Sequence, residues 1–324
     1  MAIGKASDFV IYEDQLRGGI VETLATASAV FNKAGNAIRL GTVSRRGNYH
    51  QESFISSTAS LVTRRDTTSV ASVTDLALAM AEIISVKLNR KVGPIGQTLD
   101  SFRKIQQSAN DQTLSFLIGT QIAKAMEVDM MESACRAAVA AIKNQATNLY
   151  DGTAGTMTAS VLNSGNAKMG DASSKIVAYV MHSKPFHDLI GNQITLGNGE
   201  QAAGATVYGG LPATLGRPVI VTDCSELMVD DSPDLYYTLG LTADAVVVEN
   251  SEEETMYSEL VTGLENLVVR LQGEFAYNLG VKGFKWDTQN GGANPTNAYV
   301  ATGSNWDKVA TSYKDLAGVV IKTR

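Results

Sequence analysis

The chain has 324 residues, of which 44% are hydrophobic and 19% charged, a composition typical of globular proteins and outside the range of disordered chains. The formal net charge of −6 argues against a protein that grips nucleic acid through its phosphates, but it is compatible with one that encloses DNA. No run of about 18 apolar residues occurs, so the sequence predicts no membrane-spanning helix.

The N-terminal residues and the cysteines indicate the cellular compartment in which the protein folds. The sequence MAIGKASDFVIYEDQ lacks the basic-then-apolar pattern of a secretion signal, so we expect a chain that is not secreted. Cys135 and Cys224 share no CxxC spacing and lie far apart in the sequence. We interpret them as small buried apolar residues in a reducing compartment.

The first predicted element is a short N-terminal helix. Apolar residues recur there at steps of three or four, namely Leu16, Ile20, Leu24, Ala27 and Phe31. Gly18 and Gly19 weaken this helix by roughly 1 kcal/mol each relative to alanine. It therefore needs a surface to lie on, although an ordinary core helix fits the same periodicity.

Residues 47–97 predict a long β-hairpin. Near its end a half-buried strand alternates apolar residues with polar ones, with apolar positions at Ile84, Val86, Leu88 and Val92. Gly93, Pro94 and Gly96 predict a turn that ends this strand. The middle, VTDLALAMAE, is also compatible with a helix. The charged residues Arg64, Arg65 and Asp66 are interpreted as solvated surface on the protruding part of the hairpin.

A long helix is predicted from Ser108, as N-cap in a capping box with Asp111, to about Gln145. Apolar residues keep a 3.6-residue period over roughly 35 residues, which corresponds to about 50 Å. Glu132 and Arg136 stand four residues apart, in the order that favours an ion pair. The helix predicts a spine across an elongated molecule.

The second half of the chain predicts mixed α+β structure. IVAYVM is typical of a buried strand, and Ser183 and Pro185 are placed to cap and open the helix after it. Further short strands are predicted at Val219–Val221, Leu235–Leu239 and Ala245–Val248. The clearest strand, of about 14 residues, runs from Asn266 to Leu279 with one face buried.

An acidic run, Glu252–Glu254, follows the strand that ends at Val248. We interpret it as the solvated start of a helix, because carboxylates suit the positive end of a helix dipole. A metal site and an acidic patch on an inner surface are the alternatives.

Few residues of the sequence stand in a spacing known for catalysis. The chain has neither a GxxxxGK[ST] motif nor a strand-linked GxGxxG motif. His182 and His187 are five residues apart, whereas a helical zinc pair needs a separation of four, so we expect capping or solvent-facing histidines. Ser183 beside His182 and Asp188 invites a triad interpretation, but G-x-S-x-G is absent and sequence neighbours rarely form triads.

Four strings, in their order along the chain, resemble phage capsid proteins of the HK-ninety-seven type, a fold shared with encapsulin shells and herpesvirus capsid floors. They are SFLIGTQIAKAMEVDMMESACRAAVAAI, KIVAYVMHSKPFHDLIGNQI, RLQGEFAYNLGVKGFKWD and GGANPTNAYVATGSNWDKVATSYKDLAGVVI. The resemblance implies an α+β fold. Its expected parts are an N-terminal arm (1–46), an extended hairpin loop (47–97), a peripheral domain with the spine helix (98–150), an inserted axial domain (151–234), the return strands of the peripheral domain (235–288) and a C-terminal segment (289–324).

The resemblance also implies a role. Such a chain self-assembles through pentamers and hexamers into the icosahedral or prolate shell around the double-stranded DNA of a tailed phage, in the host cytoplasm, without cofactor, metal or catalysis. The hairpin would lie across a neighbouring subunit and become ordered there. The resemblance implies Arg64, Arg65, Lys87, Arg90 and Lys91 as candidate contacts, and the alternating pattern of the strand adds its apolar row, Ile84, Val86 and Leu88, with Asp66 beside the arginines.

Further partners and rival functions are also implied. About 45 residues before the hairpin are too few for a scaffolding domain, so a separate scaffolding protein, or none, is expected. A portal and a decoration protein are possible partners, with no sequence-specific DNA contact. An encapsulin-like shell around an enzyme cargo has the same fold, and an α+β enzyme with an unfamiliar site is the other rival.

Overall fold

The computed structural model describes residues 16–21, 35–55, 62–75, 80–98, 100, 111–196 and 214–324. After a helical segment at 16–21, the strands in chain order are β1 (Ile38–Thr42), β2 (Tyr49–Ile55), β3 (Met80–Thr98), β4 (Leu149–Asp151), β5 (Ile176–Met181), β6 (Val219–Val221), β7 (Met228–Val229), β8 (Leu235–Thr242), β9 (Val246–Val261), β10 (Val268–Val281), β11 (Phe284–Trp286), β12 (Trp306–Lys308) and β13 (Gly318–Thr323). The α-helices are α1 (Asp111–Lys143), α2 (Ala159–Asn166), α3 (Ser183–Leu196) and α4 (Asn297–Val300). Short 3-10 helices lie at Ala146–Asn148, Ala167–Lys175, Ser225–Leu227, Gly303–Asn305 and Tyr313–Asp315.

The long helix α1 confirms the predicted spine, with 33 residues. The predicted cap, Ser108, lies outside the described residues. Residues 133–142 are all buried, so this part of α1 is enclosed on every side, as expected of a helix packed between two layers. Arg136 does not form the predicted pair with Glu132. Its Nε instead lies 2.9 Å from Oε1 of Glu226, because the buried helix surface faces a second element there.

One of the two layers is a sheet with the strand order β1-β9-β10-β3-β2. β10 confirms the predicted long strand, and it is antiparallel to both β9 and β3. β2 pairs with β3 from Tyr49 opposite Val86 to Ile55 opposite Met80, which confirms the predicted hairpin. Beyond Val86, however, β3 continues as an inner strand of the subunit body. The helical alternative for VTDLALAMAE is not tested, because residues 76–79 lie outside the described part.

The turn predicted at Gly93 and Pro94 is wrong, because β3 continues through it as a β-bulge. Ile95 pairs with Leu271 and Val92 with Gly273, so Gly93 and Pro94 together oppose a single residue of β10. A φ of +78° at Gly93 suits glycine alone, and proline is tolerated in a strand at such an irregularity. The sheet partner, not the local sequence, decides the path of the chain here.

The acidic run also departs from its prediction. Glu252–Glu254 lies within β9, which continues to Val261 and pairs with β10 along its length. The register shifts at this point, so the run occupies an irregularity in the strand. The predicted helix start is therefore wrong, because pairing with β10 keeps the backbone extended.

The other layer is a sheet with the order β4-β13-β8-β5-β6, to which β7 adds by pairing with β8. One face, including Ala178, Val180 and Leu239, packs into the core around α1. The opposite face, including Tyr179 and Ile321, packs in a smaller core that contains buried residues of α2 and α3. The predicted boundary between residues 234 and 235 thus passes through a single hydrogen-bonded sheet.

The helical segment 16–21 packs on α1 at very close range. Leu16 and Ile20 are fully buried in the main core, so the first two positions of the predicted apolar stripe face inward. The remaining positions of that stripe lie outside the described residues. A methyl group on Gly119 would lie 2.3 Å from the carbonyl oxygen of Leu16, so the two backbones meet where only glycine fits.

We therefore expect Gly119→Ala to destabilise the subunit by about 1–3 kcal/mol, the usual range for overpacking, because a backbone atom cannot move aside as a side chain can. Gly18→Ala is the matched control, since nothing lies within 4 Å of a Cβ at that position. It should be neutral or slightly stabilising, in line with helix propensity. Urea denaturation of the unassembled subunit measures both, and equal midpoints for the two variants would contradict the packing argument.

Candidate assembly surface

The segment that extends the β2–β3 hairpin exposes large apolar side chains. Residues 62–75 have no helix or strand and are exposed throughout. Val62, Val70 and Val73 are 94%, 104% and 89% exposed, and Met80 at the start of β3 is 82% exposed. Folded monomers rarely leave contiguous apolar surface in water without a use for it. The segment is therefore a candidate surface for contact with another protein chain.

The charged residues predicted on this segment are exposed as expected. Within the described part of the chain, neither Arg64 nor Arg65 forms an ion pair, so both guanidinium groups face solvent. Asp66 accepts hydrogen bonds from the hydroxyl of Thr68 at 2.7 Å and from its backbone N–H at 2.9 Å, and these bonds lower the pKa of Asp66. Asp66 thus fixes a local turn, and the two arginines remain available to a partner.

The strand residues predicted to contact a neighbour are placed differently. Val86 and Leu88 are 0% exposed in the subunit's own core, and Ile84 packs partly buried against the same core. Val86 and Leu88 offer no surface to a neighbour, so their predicted intersubunit role is corrected. The period-two pattern identified a buried face, but it carried no information on which body buries that face.

The charged residues of β3 fall into two groups, those paired within the subunit and those exposed. Lys87 is 5% exposed and forms an ion pair with Glu252 of β9, two strands away across β10. Arg90 forms an ion pair with Asp129 of α1. Both are engaged within the subunit, whereas Lys91 is exposed. Among the charged residues predicted on this strand, Lys91 is the one left for an intersubunit contact.

A polar network that the sequence did not suggest holds β3 and β10 against α1. The carboxylate of Asp129 accepts a hydrogen bond from Arg90 Nε at 2.8 Å and one from the hydroxyl of Tyr277 at 2.6 Å. Arg90 Nη2 reaches Ser133 Oγ at 3.2 Å and Asn297 Oδ1 at 2.8 Å. Burial raises the pKa of Tyr277, and the carboxylate of Asp129 raises it further, so the phenol stays neutral and donates. The network joins four elements.

Next to this network lies an open groove between β3 and α1, with a volume of about 390 Å³. Its apolar lining comes mainly from Val92, Ile95, Ile118, Ile122, Met126 and Phe275. Ile95 is 44% exposed, and Leu117 on the nearby turn of α1 is 49% exposed. The subunit therefore presents apolar surface on its body as well as on the hairpin extension.

The far end of the β9–β10 hairpin is a third exposed apolar region. Tyr257, Leu260, Leu264 and Leu267 are 67%, 44%, 53% and 40% exposed. Glu259 and Glu265, between them in the sequence, are exposed too. This end thus combines apolar and acidic groups, whereas the 62–75 segment combines apolar groups with two arginines, Arg64 and Arg65, and two aspartates, Asp66 and Asp75. The adjacent arginines are the groups on that segment that are opposite in charge to the glutamates.

The imidazole of His182 lies at the start of α3 and caps it. His182 Nδ1 accepts the backbone N–H of Lys184 at 3.2 Å, so the imidazole caps α3 in the position predicted for Ser183. Asp223 accepts the backbone N–H of Ser183 at 3.2 Å. Ser183 Oγ lies 3.4 Å from His182 Nδ1, but Asp188 pairs with Lys184 and not with His182, so the three residues of the considered triad do not form a hydrogen-bonded chain.

We expect His182→Ala to cost about 1 kcal/mol of subunit stability, a typical value for a lost N-cap, with assembly retained. His182→Asn, which restores a capping oxygen, should recover most of that loss. His187→Ala is the control and should change little. Thermal unfolding measures all three, and a His187 effect as large as that of His182 would contradict the capping role.

Among the described residues, no three histidine, cysteine, aspartate or glutamate side chains are grouped so as to hold a metal ion. None of the described helices has the length and apolarity needed to cross a bilayer.

The fold is similar to that of solved phage structures. Those of Microbacterium phage Oxtober96 and Mycobacterium phage Adephagia match with TM-scores of 0.52 and 0.51 at 12% identity, over 89% and 93% of this chain and 90% of each of those chains. The capsid of Ralstonia phage GP4 matches with a TM-score of 0.51 at 11% identity, over 90% of both chains. The chain thus has the HK-ninety-seven-type capsid fold, which confirms the predicted α+β class.

A sequence family model described as Gp13-like, major capsid protein 13-like, matches residues 8–320. The chain belongs to this family, and it is a major capsid protein, a structural subunit of a phage shell. No protein with a curated description matches it by sequence.

Proposed function

We propose that this subunit assembles through pentamers and hexamers into a closed shell around the double-stranded DNA of a tailed phage, in the host cytoplasm, and that it does so without catalysing a reaction. The observation that carries the proposal is the extension at 62–75, whose valines are almost fully exposed. Burying such side chains contributes about 1.5–3 kcal/mol each, so contact with a neighbour is favoured.

The contact that we propose joins the hairpin extension of one subunit to the end of the β9–β10 hairpin of the next. Arg64 and Arg65 on the extension then face Glu259 and Glu265, while the valines meet the exposed leucines. Each exposed ion pair contributes at most about 1 kcal/mol. The contact is repeated in every subunit, and each closed contact raises the effective concentration for the next.

Electron microscopy and light scattering of the purified protein test the proposal. We expect closed shells, or pentamers and hexamers that convert to shells as concentration rises. A compact monomer at every concentration and salt tested would overturn it. The double variant Glu259→Lys and Glu265→Lys should assemble poorly, and Arg64→Glu with Arg65→Glu in the same chain should restore assembly if these groups meet.

The enclosed DNA is tested separately, on particles isolated from infected cells. We expect double-stranded DNA that resists added nuclease until the shell is disrupted. The net charge of −6 fits a lumen that holds DNA without tight binding. A separate scaffolding protein, a portal or a decoration protein would copurify with such particles at fixed stoichiometry.

A further inference from the structure

Two buried cysteines from distant parts of the chain lie in the same core, in two segments that contact each other. Cys135 lies in the enclosed part of α1, residues 133–142, and Cys224 immediately precedes the 3-10 helix Ser225–Leu227. They are 0% and 3% exposed, both are free thiols, and both belong to the main core. The long helix and the 3-10 helix that follows Cys224 contact each other, and the interaction between the two thiols shifts the pKa of each, in agreement with that placement.

An ion pair between neighbouring residues joins the two segments that carry the cysteines. Arg136, the residue after Cys135, pairs with Glu226, two residues after Cys224, at 2.9 Å. The ion pair holds the helix and the 3-10 segment in register beside the thiols. Nη1 of Arg136 is buried and has no hydrogen-bond partner among the described residues, so part of a guanidinium charge remains unmatched there. A buried cation next to two thiols favours the thiolate form.

The two thiols differ in reactivity. Contact with Cys135 lowers the pKa of Cys224, and the backbone N–H of Glu226 lowers it further, while burial opposes both. Contact with Cys224 and burial raise the pKa of Cys135. Cys224 is the less enclosed thiol, at 3% exposure against 0% for Cys135, and the backbone N–H of Glu226 stabilises its thiolate, so Cys224 is the member of the pair that meets peroxide first and Cys135 remains a thiol until a reaction partner is beside it.

We propose that Cys135 and Cys224 are a latent intrasubunit disulfide, which hydrogen peroxide closes once the subunit has left the reducing host cell. In the first step the Cys224 thiol is oxidised by peroxide to a sulfenic acid, and one water is released. In the second step the sulfur of Cys135 attacks the Cys224 sulfur, and the sulfenic oxygen leaves as a second water. Two thiols and one peroxide thus give one disulfide and two waters.

The bond would tie α1 to the segment that leads into β7 and β8. It closes a loop that contains β4, α2, β5, α3 and β6, so the unfolded chain loses freedom while the folded one gains a covalent strut. A peroxide molecule is small enough to reach a site of 3% exposure through local opening. The oxidised subunit should therefore unfold at a higher temperature than the reduced one.

Purified shells treated with hydrogen peroxide, then denatured and alkylated, test the bond directly. We expect both thiols to be lost together and a peptide map to link the segments around Cys135 and Cys224 within one chain. Reduction should restore both thiols. Oxidation of Cys135 and Cys224 to separate sulfinic acids, or cross-links between chains, would overturn the proposal.

Two further variants test the order of the steps and the effect on stability. In Cys135→Ala the sulfenic acid on Cys224 has no partner, so a sulfenate-trapping dione should label Cys224 several-fold more than it labels Cys135 in Cys224→Ala. The double alanine variant controls for oxidation of methionines such as Met131. Peroxide should raise the unfolding temperature of the wild type and not of the double variant, and an equal shift in both would overturn the proposal.

Discussion

Replacement of residues 62–75 by a glycine–serine linker of equal length is expected to abolish shells and leave the subunit folded. The segment has no described strand or helix and is exposed throughout, so its removal takes nothing from the core. It does remove Val62, Val70 and Val73, which are 89–104% exposed. Loss of this repeated apolar contact should raise the concentration needed for assembly beyond the accessible range, as seen by electron microscopy and sedimentation.

Two controls separate contact from folding. Val62→Ser, Val70→Ser and Val73→Ser combined should reproduce most of the assembly defect at unchanged loop length, whereas Thr67→Ser and Ser69→Ala should assemble normally. Circular dichroism melts of unassembled subunits should be equal in all variants. Limited proteolysis should cut the wild-type subunit within 62–75 and spare β3, with protection of 62–75 in shells. Shells of normal yield from the linker variant would disprove the role of the segment.

Asp129→Ala is expected to destabilise the subunit strongly. It leaves the Arg90 guanidinium without its ion-pair partner and removes an acceptor from the neutral phenol of Tyr277. A broken fully buried pair costs about 3–5 kcal/mol, and since the Asp129 side chain is 30% exposed we expect about 2 kcal/mol. Chemical denaturation of the unassembled subunit measures it.

Asp129→Asn is the matched variant, because an amide oxygen still accepts from both donors while the charge is lost. It should recover about half of the loss, in line with charged hydrogen bonds being roughly twice as strong as neutral ones. Asp307→Ala removes a carboxylate from the exposed Lys285–Asp307 pair and should cost almost nothing. Similar losses in Asp129→Ala and Asp307→Ala would contradict the importance of the network.

Elements with strong internal periodicity were predictable from the sequence. The 3.6-residue period gave α1, and strict alternation gave β10, since both patterns depend only on which face each element buries. The short apolar run IVAYVM predicted β5 with the same bounds as the structure shows. In each case local sequence and packing agree, and no distant partner is needed to decide the conformation.

The wrong predictions concern positions where pairing with a distant strand determines the backbone conformation. Gly93 and Pro94 predict a turn locally, but β10 carries them through as a bulge. Glu252 predicts a solvated helix start, but pairing with β10 keeps it extended, and Lys87 neutralises it from two strands away. Neither the pairing with β10 nor the ion pair with Lys87 can be identified from one sequence.

The candidate assembly surface was predictable only in part. Exposure of Arg64 and Arg65 was expected from charge on a protruding loop, and the structure agrees. Burial of Val86 was expected too, but alternation cannot distinguish the subunit's own core from that of a neighbour. The network around Asp129 was missed because its members come from β3, α1, β10 and α4, and no spacing in the sequence connects them.

The position of β13 has a consequence for synthesis on the ribosome. β13 lies between β4 and β8 in the second sheet, where Val320 pairs with both Leu149 and Leu239. Until residues 318–323 have emerged, a nascent chain that already contains α1 and β5 has a gap in that sheet, and the apolar surfaces beside it are uncovered. Unfinished chains of this kind aggregate readily and are the usual clients of chaperones. We therefore expect cotranslational folding to stall before this strand, so that only polypeptides translated past it become competent to join a growing shell.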